Sequence, residues 1–165
     1  MKNLMIKFAT IFALLFWFGT NQTISQESKP YDPGKDGKQQ ISEAIAEAGE
    51  SGKHVFVMIG GNWCPWCLRF HKFIHEDQTI DSLLKADYVF TMLNYSKENK
   101  NEDVLVSLGY PQRFGFPVFV ILDGNGHRIH TQNSAYLEKD KSYDAKEVIG
   151  FLKHWSPAAL DPENY

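Results

Sequence analysis

The stretch His54-Val-Phe-Val-Met-Ile59 constrains this chain more than any other. Its alternate positions Val55, Val57 and Ile59 on one side, and Phe56 and Met58 on the other, are all apolar, so a strand here must be covered on both faces. That demands helices above and below a sheet. The neighbouring segments supply them. Ile41, Ala44, Ile45 and Ala48 fall at i, i+3, i+4 and i+7, predicting an amphipathic helix that ends at Gly49 or Gly52. A helix is expected from about Cys64 to His75, a short one over Ile80–Ala86, a strand over Tyr88–Tyr95 and a helical stretch over Glu102–Leu108. Pro117–Leu122 reads as a third strand, and Asp123-Gly-Asn-Gly126 as a hairpin turn into His127–Gln132. A last helix begins at Asp144, with Val148, Phe151, Leu152 and Trp155 on one face. The order predicts an α/β domain with a central mixed sheet flanked by helices.

The ends read differently. Lys2 and Lys7 precede a 12-residue uncharged apolar run from Phe8 to Gly19, followed by a polar stretch, which is the grammar of an export signal. The run is short of the roughly 18–20 residues that span a bilayer. Thr23 and Ser25 suit a cut before Gln26, and a cut after Thr20 is the other option. The expected organisation is a signal over 1–25, a Pro/Gly-rich linker over 26–37, a domain over 38–156 and a tail over 157–165. Localisation is expected to be exported and periplasmic, with membrane tethering facing the periplasm as the alternative if the segment is not cleaved. Loss of Lys2 and Lys7 with no acid moves the net charge from −3 to −5, and no basic stripe points to nucleic acid.

Two cysteines cannot build a disulfide scaffold, but their placement in Trp63-Cys64-Pro65-Trp66-Cys67 carries chemistry. Three residues apart at a helix start, their Cα atoms stand about 5 Å apart, within disulfide range. Cys64 faces unpaired N–H groups and the positive end of the helix dipole, which favour its thiolate; Cys67, one turn inside, is shielded. Pro65 suits the first helical turn. Cys64 is therefore assigned as the attacking thiol and Cys67 as the resolving one. A zinc site from Cys64, Cys67, His71 and His75 fails on one straight helix, because its last member lies roughly 16 Å along the axis from the first. His71 and His75 read as helix-surface residues, and Arg69 as a solvated side chain. A structural disulfide and a buried reduced pair remain as other uses; the stretch Gly60-Gly61-Asn62, read as an exposed lead-in, argues against both.

The strand ending in Trp63-Cys64-Pro65-Trp66-Cys67, the helix after it, and the distant Phe116-Pro117-Val118 resemble the thioredoxin superfamily over roughly residues 38–156, in the form found in exported bacterial thioredoxin-like proteins. The resemblance implies a thioredoxin-like fold, a cis peptide before Pro117, and a substrate segment lying against Phe116 and Pro117. It implies a thiol–disulfide oxidoreductase, with Cys64 and Cys67 catalytic, that exchanges disulfides with cysteine-containing exported proteins and with a redox donor or acceptor protein. No bound cofactor or metal is implied. Trp63, Pro65 and Trp66 are expected to flank the thiol as a substrate-binding surface, whereas Trp155 belongs to the core. Two departures stand out: the buried Asp six residues before the first Cys, and the Lys on the next strand, are replaced by Met58 and Met92. With no polar pair to assist proton transfer at Cys67, a non-catalytic binding module with an inert disulfide is the alternative. Pro65-Trp66 between the cysteines leaves reductase and oxidase or isomerase both open, because thiol-pair potentials span roughly 150 mV, about 7 kcal/mol.

Overall fold

A computed structural model describes residues 29–165. The export signal read over 1–25 and the first residues of the linker lie outside the described residues. β1 (His54–Gly60) is buried at every position, as its apolar alternation requires. It runs parallel to β2 (Tyr88–Asn94) and antiparallel to β3 (Val118–Leu122), and β4 (Arg128–Asn133) pairs antiparallel with β3, giving the order β2-β1-β3-β4. The sheet is mixed, with helices on both faces.

The two-residue period of β1 divides the core in two. Val55, Val57 and Ile59, with Val118, Val120 and Leu122, pack against Ile41, Ala44 and Ala48 of α1 (Gly37–Ser51) and Val104 and Leu105 of α4 (Glu102–Ser107). Phe56 and Met58, with Phe119 and Ile121, face the opposite layer. That layer holds α2 (Pro65–Glu76), α3 (Gln78–Asp87) and α5 (Ala145–His154). Phe56 is its hub: Phe90, Phe119 and Phe151 stand edge-on to it with ring centroids 5.4, 5.3 and 5.6 Å away.

Caps account for the helix limits. Asp36 accepts hydrogen bonds from the N–H groups of Lys38 and Gln39, and Gly52 closes α1 at φ 66°, a conformation open to glycine. Asp77 caps α3 and Asp144 caps α5. Trp155, expected in the core, is half-buried at the end of α5 and stacks on His130 at 4.1 Å.

One boundary needs correction. Residues 29–37, read as the end of a linker, are stitched into the domain. Tyr31 is 2% exposed. Its N–H donates to Asn62 Oδ1 (3.1 Å), and Asn62 Nδ2 donates back to its carbonyl (2.7 Å). Asn99 Nδ2 donates to the carbonyls of Pro33 and Lys35, and the Gly37 N–H donates to Asn101 Oδ1. Pro and Gly punctuate the segment without freeing it, because its anchors come from the loops that follow β1 and β2. A short hairpin, β5 (Glu138–Lys139) and β6 (Ser142–Tyr143), is also present, with too few residues to show a period in the sequence. Residues 157–165 form two exposed single turns, Ala158–Leu160 and Pro162–Asn164.

Candidate functional site at the end of the first strand

β1 hands over to α2 through Gly60-Gly61-Asn62-Trp63, and the two cysteines sit at the handover. Cys64 is the residue capping α2. Its backbone is extended, and its Sγ accepts a hydrogen bond from the Cys67 N–H at 3.2 Å. Pro65 fills the first helical position, where its missing N–H costs nothing. Cys64 and Cys67 are joined in a disulfide with Cα atoms 5.2 Å apart, matching the spacing expected for a pair on one turn. Cys64 is 4% exposed and Cys67 is fully buried, so the outer sulfur is the one solvent or a substrate reaches first.

The glycines before the pair, expected as an exposed lead-in, are both buried. A Cβ on Gly60 would overlap Cys67 Sγ and stand 2.8 Å from the Tyr31 hydroxyl, while one on Gly61 would lie 2.7 Å from the Tyr95 carbonyl. Both positions need close backbone approach, and that requirement places the disulfide directly on the end of β1. Asn62 then turns inward to hold the Tyr31 peptide from both sides.

Aromatic side chains flank the pair on two sides. On one, Trp63 is 54% exposed; its Nε1–H donates to the Tyr95 carbonyl at 2.6 Å, and its ring meets Phe116 edge-on at 5.5 Å. Phe116 in turn stacks on Tyr95 at 4.8 Å. The Phe116–Pro117 peptide is cis. Val118 pairs with Ile59, so this peptide lies beside the end of β1 from which the cysteine turn departs. On the other side, the half-buried Trp66 meets Tyr143 of β6 edge-on at 5.5 Å, and the Tyr143 hydroxyl donates to the Trp66 carbonyl at 3.1 Å. The Arg69 guanidinium lies over the Trp66 ring at 4.5 Å. Pro65 is exposed at the tip between the two sides. The fold thus gathers Trp63, Cys64, Pro65, Trp66, Cys67, Phe116 and Pro117 at one end of the sheet, and adds Tyr31, Tyr95 and Tyr143, which no sequence signal marked. The Pro30-Tyr31-Asp32-Pro33 setting resembles a loop, and only the partners in space show what Tyr31 does.

The polar environment of the inner sulfur is sparse. Met58 and Met92 are direct cross-strand partners, so the two apolar replacements stand side by side on β1 and β2. Burial, and next the neighbouring Tyr143, push the Tyr31 phenol well above the usual tyrosine range. Along α2, burial and then His75 hold the half-buried His71 imidazole below its ordinary value of 6.5. The His71 and His75 rings are 4.7 Å apart, and His75 Nδ1 faces Asp81 at 3.3 Å. Among the described residues no group of three or more His, Cys, Asp or Glu side chains is placed to hold a metal ion, and no helix is long and apolar enough to cross a membrane.

A family model described as "Thioredoxin-like" matches residues 36–124. Among solved structures, a disulphide isomerase from Xylella fastidiosa Temecula1 superposes with a TM-score of 0.68 at 21% identity, over 76% of this chain and 95% of its own. A thioredoxin from Thermus thermophilus gives 0.52 at 22% identity, over 68% of this chain and 81% of its own. The oxidised C-terminal domain of DsbD from Neisseria meningitidis gives 0.53 at 13% identity, over 73% and 96%. No curated protein matches the chain. At these identities the likeness is one of fold.

Proposed function

The chain belongs to the thioredoxin-like family, and from that premise we propose that it is an exported thiol–disulfide oxidoreductase that exchanges disulfides with cysteines of other exported proteins. The observation that carries this reading is the position of Cys64. It caps a helix N-terminus, accepts the Cys67 N–H, and is the outer sulfur of a disulfide seated on the end of β1. In the reduced protein the same N–H groups and the helix dipole favour the Cys64 thiolate, the form that attacks.

Reduction of a substrate then runs in two displacements. The Cys64 thiolate attacks one sulfur of the substrate disulfide; a Cys64–substrate bond forms, the substrate S–S bond breaks, and the expelled sulfur leaves with the electron pair and takes up a proton. Cys67, after losing its proton, attacks Cys64 Sγ. The Cys64–Cys67 disulfide forms and the second substrate sulfur is released as a thiol. Two electrons and two protons have passed to the substrate, and the reverse sequence oxidises it. Trp63 and Phe116 offer an apolar rim, and Phe116 with the cis Pro117 offers backbone beside the pair for an extended segment of substrate. The signal-like segment at 1–25 supports export.

The test is disulfide exchange with a cysteine-containing peptide in glutathione buffers. The wild-type protein is expected to equilibrate, and Cys64→Ser to lose exchange. Full exchange by Cys64→Ser refutes the assignment. A disulfide that resists mild reductant, consistent with the 4% exposure of Cys64, favours a binding module instead.

A further inference from the structure

Among the described residues only two buried side-chain polar atoms lack a hydrogen-bond partner, Gln112 Oε1 and the Tyr31 hydroxyl. Such atoms are rare in folded proteins, and each calls for a reason. A Phe at position 31 would fill the same space without stranding a polar group. The Tyr31 hydroxyl lies in the core cluster that contains both cysteines. It lies close to the Cys67 sulfur: a Cβ placed on Gly60 would overlap that sulfur and stand 2.8 Å from the hydroxyl, so the two atoms are no more than about 5 Å apart. The Tyr31 backbone is clamped by Asn62, which belongs to the same turn as the cysteines. The orphaned hydroxyl is therefore held against the redox pair by that turn.

Resting on the redox reading above, we infer that Tyr31 serves the resolving thiol, its hydroxyl donating a hydrogen bond to Cys67 Sγ once the disulfide is reduced. In the disulfide the sulfur carries no charge and the hydroxyl stays unpartnered. In the reduced protein Cys67 must shed its proton inside the core before it can attack the mixed disulfide, with Met58 and Met92 alongside and no charged group on either strand at that level. A phenol is a donor that stabilises the developing thiolate without becoming charged itself. Its burial keeps it in the neutral, donating form over the working pH range. The group does not act as a base. The Cys67 proton leaves to water, the new S–S bond forms to Cys64, and the electron pair departs with the substrate sulfur.

Few other titratable groups face this point. Tyr143 on β6 has its hydroxyl engaged with the Trp66 carbonyl. Arg69 lies over the Trp66 ring. His71 is one turn beyond Cys67 on α2 and is the competing candidate. Asp32 and Lys35, on the Tyr31 side, are exposed.

Single-turnover reaction of the reduced protein with one equivalent of a chromogenic aromatic disulfide separates the steps. The first thiolate released reports Cys64 attack; the second reports attack of Cys67 on the mixed disulfide. In Tyr31→Phe the second phase is expected to slow about tenfold at pH 7, with its pH inflection raised by about one unit. Above that inflection, where the reduced form carries the Cys67 thiolate, the potential against glutathione should fall by about 30 mV, the same tenfold loss of thiolate stabilisation. His71→Gln should keep the wild-type inflection. An unmoved inflection in Tyr31→Phe, or a shift in His71→Gln in its place, overturns the inference. Absence of the first phase in the wild-type protein overturns the redox reading instead. Oxidised Tyr31→Phe should unfold at no lower temperature than wild type. If that variant does not fold, the reduced wild-type protein decides: a through-space coupling between the Tyr31 hydroxyl proton and the Cys67 β protons is expected, and its absence refutes the contact.

Discussion

Replacing Gly60 with Ala tests whether the disulfide is seated on the strand end as the geometry indicates. Gly60 is not in the left-handed region, so Ala adopts its backbone freely, and the substitution by itself would stabilise by about 0.4–1 kcal/mol through the unfolded chain. Against that stands the added methyl. It would overlap Cys67 Sγ, lie 2.8 Å from the Tyr31 hydroxyl and 3.3 Å from Cys67 Cβ. Overpacking of this kind costs about 1–3 kcal/mol. In the disulfide form Cys67 Sγ is tied to the helix cap and cannot turn away, so the steric cost wins and oxidised Gly60→Ala should lose about 1–2 kcal/mol. Freed by reduction, Cys67 can take another rotamer and escape much of the overlap. The disulfide form is therefore penalised more than the dithiol form, and the variant becomes the stronger oxidant. At about 1.4 kcal/mol per 30 mV for a two-electron couple, the potential should rise by about 20–40 mV. Thermal unfolding of both redox forms, with glutathione equilibration of the same samples, measures each quantity. An oxidised variant that melts with the wild type, equal losses in both forms, or an unchanged or lowered potential would refute the reasoning.

Two further outcomes are expected. Asn62→Ala removes both hydrogen bonds to the Tyr31 peptide and should cost about 1–3 kcal/mol in urea unfolding, with faster amide exchange at Tyr31; unchanged exchange there would show that the N-terminal segment is held by other means. His71 makes stability depend on pH: its native pKa is held below 6.5 by burial, so as pH falls through 6.5 the unfolded chain takes up this proton before the native state does. Stability should therefore decline as pH falls below about 7 until the native imidazole is also protonated, and His71→Gln should flatten that decline in denaturant titrations; an identical slope in the variant would remove His71 as its source.

Much of the fold was legible because its signals are local. The all-apolar alternation of β1 required two covering layers, the i, i+3, i+4, i+7 pattern marked α1, and the Asp-Gly-Asn-Gly turn joined β3 to β4. The cysteine pair was legible for the same reason, since one helical turn fixes its spacing. Tyr31 was not. Its burial comes from Asn62, thirty-one residues away, and from the helical layer across the sheet, and a Pro- and Gly-flanked Tyr looks the same in a linker. Gly60-Gly61 was misread because glycine fits an exposed turn and a crowded approach alike; only the neighbouring Cys67 sulfur and Tyr95 carbonyl distinguish the two. Tyr143 escaped because a two-residue strand has no period.

The amino-acid order alone determined the α/β alternation, the two-layer covering of β1 and the placement of Cys64 and Cys67 at a helix start. Each follows from interactions within a few residues, where backbone periodicity ties position to face. The tertiary structure alone decided what surrounds the pair: Phe116 and Tyr95 beside Trp63, Tyr143 under Trp66, Met92 opposite Met58, and the unpartnered Tyr31 hydroxyl beside the inner sulfur. These contacts join residues far apart in the chain. Their distances depend on how strands register and helices pack, which no local pattern encodes.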